Sequence, residues 1–507
     1  MKRATFGLVG SLLVSALPAL LAAAAPDLRL VEAAKRQDRA EIRALLKARV
    51  DVNAPQPDGT TALHWAAYRD DAETIELLLR AGAKANAVTD AGVTPLSLAC
   101  SSDAGAPSLR LLLGAGANPN LTPETGESPL MSCARTGNLE AVRLLMARGA
   151  NVNAREKGRG QTALMWAAAA RHPDVVKTLV EGGADVQART EVTSELTYTG
   201  FRYITAPPAN TNGVIVDAKQ GGYTALLFAA QQGDVESAQL LLAAGAKVDD
   251  GDAAGASTLV TAAHSGHTAV AKLLLDRGAD PNAAGAGYTA LHAAVLRGDG
   301  ELVKALVAKG AKVDATITAG TPVRKYGLDY ALSAAWIGAT PYWLAAKFAE
   351  PEIMRTLAAA HADTRLAIKD GTTPLMAALM IPQGTADRRE RYQTETQIAA
   401  NTAAADDKAT YELAALALKL GVDVNAASAT GDTALHMAAG RGLPDIVKLL
   451  AENGANLDVK NKRGLTPLGL ASSLRKADFD ADNAATAALL VRATKTIELL
   501  RSLGATQ

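Results

Sequence analysis

Chemistry in this 507-residue chain would have to start from seven histidines, two cysteines and a few acidic clusters. The histidines are His64, His172, His264, His267, His292, His361 and His436. No HExxH sets two of them on one helical face for zinc, no GxSxG turn presents a serine nucleophile, and no P-loop is present to cradle a phosphate. His264 and His267 are close in sequence but straddle Gly266, so a turn is expected to part them. Asp249, Asp250 and Asp252 fall at an expected hairpin tip, without the glutamate that closes a calcium loop. Gly285, Ala286 and Gly287 follow no strand and read as a turn rather than a nucleotide loop. Cys100 and Cys133 form no CxxC, so neither a redox dithiol nor a zinc ribbon is indicated. The expectation is a chain with no catalytic residue, no metal site and no cofactor.

The bulk composition narrows the classes further. Lys plus Arg and Asp plus Glu are both 52, so the chain lacks the basic surplus of a general nucleic-acid binder. Residues are 49% hydrophobic but only 4% aromatic, a balance that suits small side chains on close-packed helices. The first residues read as a signal peptide over 1–24. Lys2 and Arg3 form a basic start, an apolar stretch runs from Phe6 to about Leu21, and Ala22 to Ala25 supply small residues for cleavage after Ala24. An uncleaved anchor is the alternative, since 4–26 carries no charge. No later segment is apolar and long enough to span a membrane. The expected location is periplasmic or secreted.

One phrase dominates the sequence. It appears as TALHWAA at Thr61, TPLSLAC at Thr94, SPLMSCA at Ser128, TALMWAA at Thr162, TALLFAA at Thr224 and STLVTAA at Ser257. It returns as TALHAAV at Thr289, TPYWLAA at Thr340, TPLMAAL at Thr373, TALHMAA at Thr433 and TPLGLAS at Thr466. Where uninterrupted, the spacing is 32–34 residues. The Thr is placed to cap a first helix, the Leu to point inward, and the Ala pair to let helices approach closely. In residues 58–87, Asp71 and Glu73 should open a second helix, where the dipole favours acids. Ile75, Leu77, Leu78 and Leu79 are its expected buried face, and Gly82 its left-handed stop.

This pattern resembles the ankyrin repeat, with its period of about 33 residues and T-P-L-H-x-A signature. The resemblance implies an all-α solenoid of helix–turn–helix units joined by hairpin fingers, about twelve units with four insertions. The units divide as a capping repeat over 27–54, repeats over 55–188, a finger insertion over 189–219, repeats over 220–316, a finger insertion over 317–335, and repeats over 336–507 with insertions near 382–409 and 474–493. It also implies that His64, His292 and His436 bridge backbone groups between units. Cys100 and Cys133 occupy small-residue positions of adjacent repeats, where they are expected to pack like large alanines; in an exported chain a disulfide is the alternative.

Partners of such arrays usually meet the fingers and the exposed face of the first helices. The two residues after the Ala pair mark that face. They are Tyr68-Arg69, Ser101-Ser102, Arg135-Thr136, Ala169-Ala170, Gln231-Gln232, His264-Ser265, Leu296-Arg297, Lys347-Phe348 and Gly440-Arg441. Five pairs hold a cation, and none holds an acid. Arg69, Arg135, Arg297, Lys347 and Arg441 therefore form an expected cationic stripe. Tyr198, Phe201 and Tyr203 in the first insertion form a second candidate, with packing back onto the array as the competing reading. The functional expectation is an extracytoplasmic protein-interaction scaffold, monomeric, binding a protein partner with an acidic surface rather than nucleic acid. An accessory of a periplasmic enzyme and a secreted effector are the competing roles.

Overall fold

The computed structural model describes residues 27–101, 106–198, 215–321, 332, 334–380, 395–476 and 484–506. At 195–198, 215–218, 334, 395–406, 475–476 and 484–487 only the backbone is described. Two compact units divide the chain, one reaching to 118 without 103–106, the other holding the remainder.

The first unit stacks three helix pairs. They are Arg29–Arg36 with Arg39–Lys47, Ala62–Tyr68 with Ala72–Arg80, and Pro95–Ala99 with Ala106–Gly114. The capping residues do what their chemistry dictates. The Thr94 hydroxyl accepts the Ser97 amide at 3.1 Å, satisfying a helix-start donor that has no partner within the helix. Asp71 does the same for the second helix, accepting the Thr74 amide at 3.2 Å. Ala66 and Ala67 are fully buried, and their methyl groups let the first helices approach closely. On the second helix Thr74, Ile75 and Leu78 are buried, while Leu77 and Leu79 are half-buried. The expected four-residue face is thus narrower: a 3.6-residue period turns Leu77 and Leu79 to the flanks. Burying one leucine such as Leu78 contributes roughly 1.5–3 kcal/mol. Gly82 ends the helix at φ +93°, where a Cβ would be strained.

The second unit repeats the motif nine times among the described residues, from Pro129–Thr136 with Leu139–Ala147 to Pro467–Lys476 with Ala484–Ser502. The first insertion carries an antiparallel pair, β1 (Thr193–Tyr198) and β2 (Ile215–Gln220), registered from Thr193 opposite Gln220 to Tyr198 opposite Ile215. Its base is tied down by Arg189, whose guanidinium donates to the carbonyls of Gly222 and Gly251 and pairs with Asp250 at 2.6 Å. The second insertion closes where the Thr321 amide donates to the Leu332 carbonyl at 2.9 Å.

The last two insertions differ from expectation. The helix Glu395–Lys419 begins inside the segment read as an insertion near 382–409, so its first half prolongs the second helix of that repeat. Likewise, helices cover Pro467–Lys476 and Ala484–Ser502, most of the segment near 474–493. Both segments are Ala-rich, and alanine carries the highest helix propensity. Asp407 on the first long helix pairs with Arg492 on the second.

Candidate functional site

The recurring phrase gives each repeat a polar link to its neighbour. At His64 the Nδ1 atom accepts the Thr61 amide at 3.1 Å, which leaves the proton on Nε2 to donate to the Val93 carbonyl at 3.1 Å. His292 reaches the Ala339 carbonyl at 3.2 Å and His436 the Leu465 carbonyl at 3.0 Å in the same way. Each acceptor precedes the capping residue of the next repeat. Trp343 fills this slot in its own repeat, and its indole N–H donates to the Thr372 carbonyl at 2.9 Å. Burial holds these rings neutral: it lowers the pKa of His64 and His436, and brings His292 down to about 4.

A second ladder escaped the sequence reading. Asn53 donates to the Gly82 carbonyl at 3.1 Å while its oxygen accepts the Lys84 amide at 2.8 Å. Asn86, Asn120, Asn153, Asn282 and Asn425 each repeat both bonds to the following repeat. The recurring Val-Asn-Ala triplets were the available signal: a side chain that both donates and accepts, at the period of the repeat, fits a finger-to-finger bridge.

The five cations after the Ala pairs separate into two groups. Arg69 and Arg135 are exposed and backed by aromatic rings. The Arg69 guanidinium lies 5.8 Å from the Tyr68 ring centre, and that of Arg135 lies 5.4 Å from Trp166. Arg135 also faces Glu127 at 3.8 Å. The other three are turned to neighbouring helix ends. Arg297, half-buried, donates to the His264 carbonyl at 2.7 Å. Arg441, half-buried, donates to the Leu379 carbonyl. Lys347 is buried and donates to the Met380 carbonyl at 3.3 Å. The expected exposed stripe is therefore interrupted at these three positions. The reason is the unsatisfied, partly negative carbonyl ends of adjacent helices, which attract a cationic donor. His172 and His267 make the same kind of link, to the carbonyls of Arg135 and Gln231 at 3.0 Å each.

Of the aromatic candidates, Tyr198 ends β1 opposite Ile215, with its backbone alone described, while Phe201 and Tyr203 lie outside the described residues. Both cysteines are fully buried, and each is disulfide-bonded, in contrast to the expectation that they pack as unbonded small residues. Among the described residues no group of three or more His, Cys, Asp or Glu is placed to hold a metal ion. Among them, too, no helix is long and apolar enough to cross a membrane.

Similar proteins share the repeat and little else in length. The chain is 44% identical over 64 residues to the B-cell lymphoma 3 protein homolog of Mus musculus, covering 13% of this chain and 14% of that one. It is 35% identical over 121 residues to ankyrin repeat domain-containing protein SAT10 of Stachybotrys chartarum, covering 23% and 6%. It is 34% identical over 146 residues to neurogenic locus notch homolog protein 1 of Homo sapiens, covering 26% and 6%. The chain thus spans no more than 14% of the length of these relatives. The human ASB11 ankyrin repeat domain matches at 28% identity and a TM-score of 0.40, covering 50% of this chain and 98% of that one. The model of ankyrin repeats in three copies matches residues 30–122, 103–190, 226–317 and 401–495, more than half of the chain. With its capped helix pairs and its histidine and asparagine bridges, the chain belongs to the ankyrin-repeat family.

Proposed function

We propose that this chain is an extracytoplasmic scaffold that docks a protein partner with an acidic surface on its first-helix face and its hairpin fingers. Ankyrin repeats generally mediate protein–protein interaction, and fold alone does not choose the partner. The observation that carries the reading is the contrast within one slot. Arg297, Lys347 and Arg441 are engaged by helix ends, whereas Arg69 and Arg135 stand exposed on aromatic rings. Arginine and aromatic residues, held in place and open to solvent, match the composition of binding hot spots. Export is supported by the apolar leader and by the bonded cysteines, since disulfides persist in oxidising compartments.

The test is affinity capture with the full mature chain from the envelope fraction of its native cell, repeated with Arg69→Glu/Arg135→Glu. The expected result is a specific protein whose capture weakens with salt and at least tenfold with the double substitution. Screening acts over about 8 Å at physiological ionic strength, so exposed ion pairs must respond to salt. A partner captured equally by both forms at every salt concentration removes the acidic-surface reading. No captured protein removes the scaffold reading.

A further inference from the structure

We propose that Lys35, Trp65, Tyr68 and Arg69 form a preorganised site in the first unit for an extended peptide segment carrying an aromatic side chain between two carboxylates. The inference rests on the scaffold reading and names the partner feature that this part of the face would take. The four side chains form one continuous line of contacts. The Lys35 ammonium sits 5.2 Å from the Trp65 ring centre. The Trp65 and Tyr68 rings meet edge to face at 6.0 Å and 87°. The Arg69 guanidinium follows 5.8 Å from Tyr68.

Trp65, at the centre of the line, is held from behind. The Trp65 indole N–H donates to Gln56 at 3.2 Å, and the Gln56 amide donates to Glu32 at 3.3 Å. Glu32 is thereby occupied beside the site, and Asp70 accepts the Ser108 hydroxyl at 2.5 Å. Lys35 and Arg69 are exposed, and neither makes an ion pair among the described residues. Elsewhere in this unit Arg29, Arg36, Arg39, Arg43 and Arg80 all face a carboxylate. Tyr68 is 51% exposed, a large aromatic left open to solvent. In the next repeat the corresponding residue is Ser101, a small side chain that leaves room beside the ring.

Charge complementarity selects the occupant. Two fixed cations flank an aromatic strip, so the matching segment has two anions flanking a ring. In an extended chain, alternate side chains share a face at about 6.8 Å, and a five-residue stretch spans roughly 14 Å between its outer residues. The three contacts of 5.2, 6.0 and 5.8 Å set an upper bound on the separation of the two cations, and a segment of this length fits within it. An acid–x–aromatic–x–acid segment would set its ring against the Trp65–Tyr68 pair and its carboxylates toward Lys35 and Arg69. Single-stranded nucleic acid also combines rings with anions. It is disfavoured by a net charge of zero, since a general nucleic-acid binder needs a basic surplus.

The experiment titrates the full mature chain and follows the Trp65 indole N–H by NMR, assigned with Trp65→Phe. The probes are a glycine-flanked Glu-Ser-Phe-Ser-Glu peptide, its Gln-Ser-Phe-Ser-Gln and Glu-Ser-Ala-Ser-Glu versions, and oligothymidylate. The Trp65 signal is expected to shift with the first peptide and to require at least tenfold more of either peptide version. Lys35→Glu/Arg69→Glu and Tyr68→Ala should weaken the first peptide by a similar factor with unchanged thermal melting, because these side chains are exposed. The proposal is overturned by no shift at millimolar peptide, by equal binding of the glutamine version, by equal binding to the charge-reversed variant, or by tighter binding of oligothymidylate. If the captured natural partner binds Lys35→Glu/Arg69→Glu as well as the unmodified chain, the site falls and the scaffold stands. If no partner is captured, the scaffold falls, and the peptide titration still judges the site.

Discussion

At the scale of single residues, the repeat makes its histidines structural, and this has a pH signature. His292 is fully buried, with one nitrogen accepting the Thr289 amide and the other donating to Ala339. A second ring proton would abolish the acceptor and charge a buried group. Its pKa is accordingly pushed from 6.5 down to about 4, chiefly by burial. Above pH 6.5 the unfolded ring is neutral too, and no penalty applies. As pH falls from there toward 4, the unfolded chain gains a proton that the folded chain refuses, so stability is lost, by roughly 3 kcal/mol for this residue. His64, His267 and His436 are lowered in the same direction. Asp71 and Asp432 titrate below the ordinary aspartate value of 3.8: burial raises them, but their hydrogen bonds prevail. Their loss therefore follows at lower pH. Urea unfolding between pH 7 and about 4.5 should show this weakening, with a shallower slope in His292→Gln. A flat profile would mean that the rings do not bridge as described. The caps, the alanine contacts and the histidine slot were legible because each depends on one residue type at a fixed phase. The fates of Arg297, Lys347 and Arg441 were not. Whether a long cationic side chain faces solvent or returns to a carbonyl is a choice of rotamer that sequence spacing does not encode.

At the scale of elements, insertions in this fold lengthen pieces that already exist. The first extends a finger, since Thr193–Tyr198 and Ile215–Gln220 pair as a two-stranded ladder rooted at Arg189 and Thr190. Its place after Gly182 and Gly183, the stop of a second helix, made the finger extension readable. The third extends a second helix, which the polar residues of the same segment concealed, because charge and amide content suggested a loop. The hairpin's anchors are at its base: the Thr190 amide donates to Tyr223, and Arg189 pairs with Asp250. Joining Ser194 to Lys219 through an Asn-Gly turn would keep these anchors and a tight hairpin geometry. The shortened chain is expected to melt within about 1 °C of the original, since surface changes away from buried groups usually stay within ±0.5 kcal/mol. A large fall, read by calorimetry, would show that the removed segment packs on the repeats. If melting holds and capture of the partner weakens, the finger is part of the docking surface.

At the scale of the whole molecule, two separate features bear on the compartment. Lys2, Arg3, the apolar run to about Leu21 and the alanines after it are the pattern expected of an export signal, a reading that leader removal would test. Cys100 and Cys133, the chain's two cysteines, are disulfide-bonded and wholly buried. The cytosol keeps thiols reduced, so a structural bond of this kind fits a chain that folds after export. Leader removal and thiol state are independent readouts, and together they decide the question. Protein recovered from the envelope of its native cell should begin at Ala25 by mass spectrometry. Thiol titration in denaturant, where the buried sulfurs become accessible, should find no free cysteine before reduction and two after it. Reduction should then lower the melting temperature, and Cys100→Ala/Cys133→Ala should melt near the reduced form. Recovery of the chain with its leader intact and both thiols free would place it in the cytosol. The search for an acidic protein partner would then move to that compartment, while the helix-end contacts of Arg297, Lys347 and Arg441 would be unaffected.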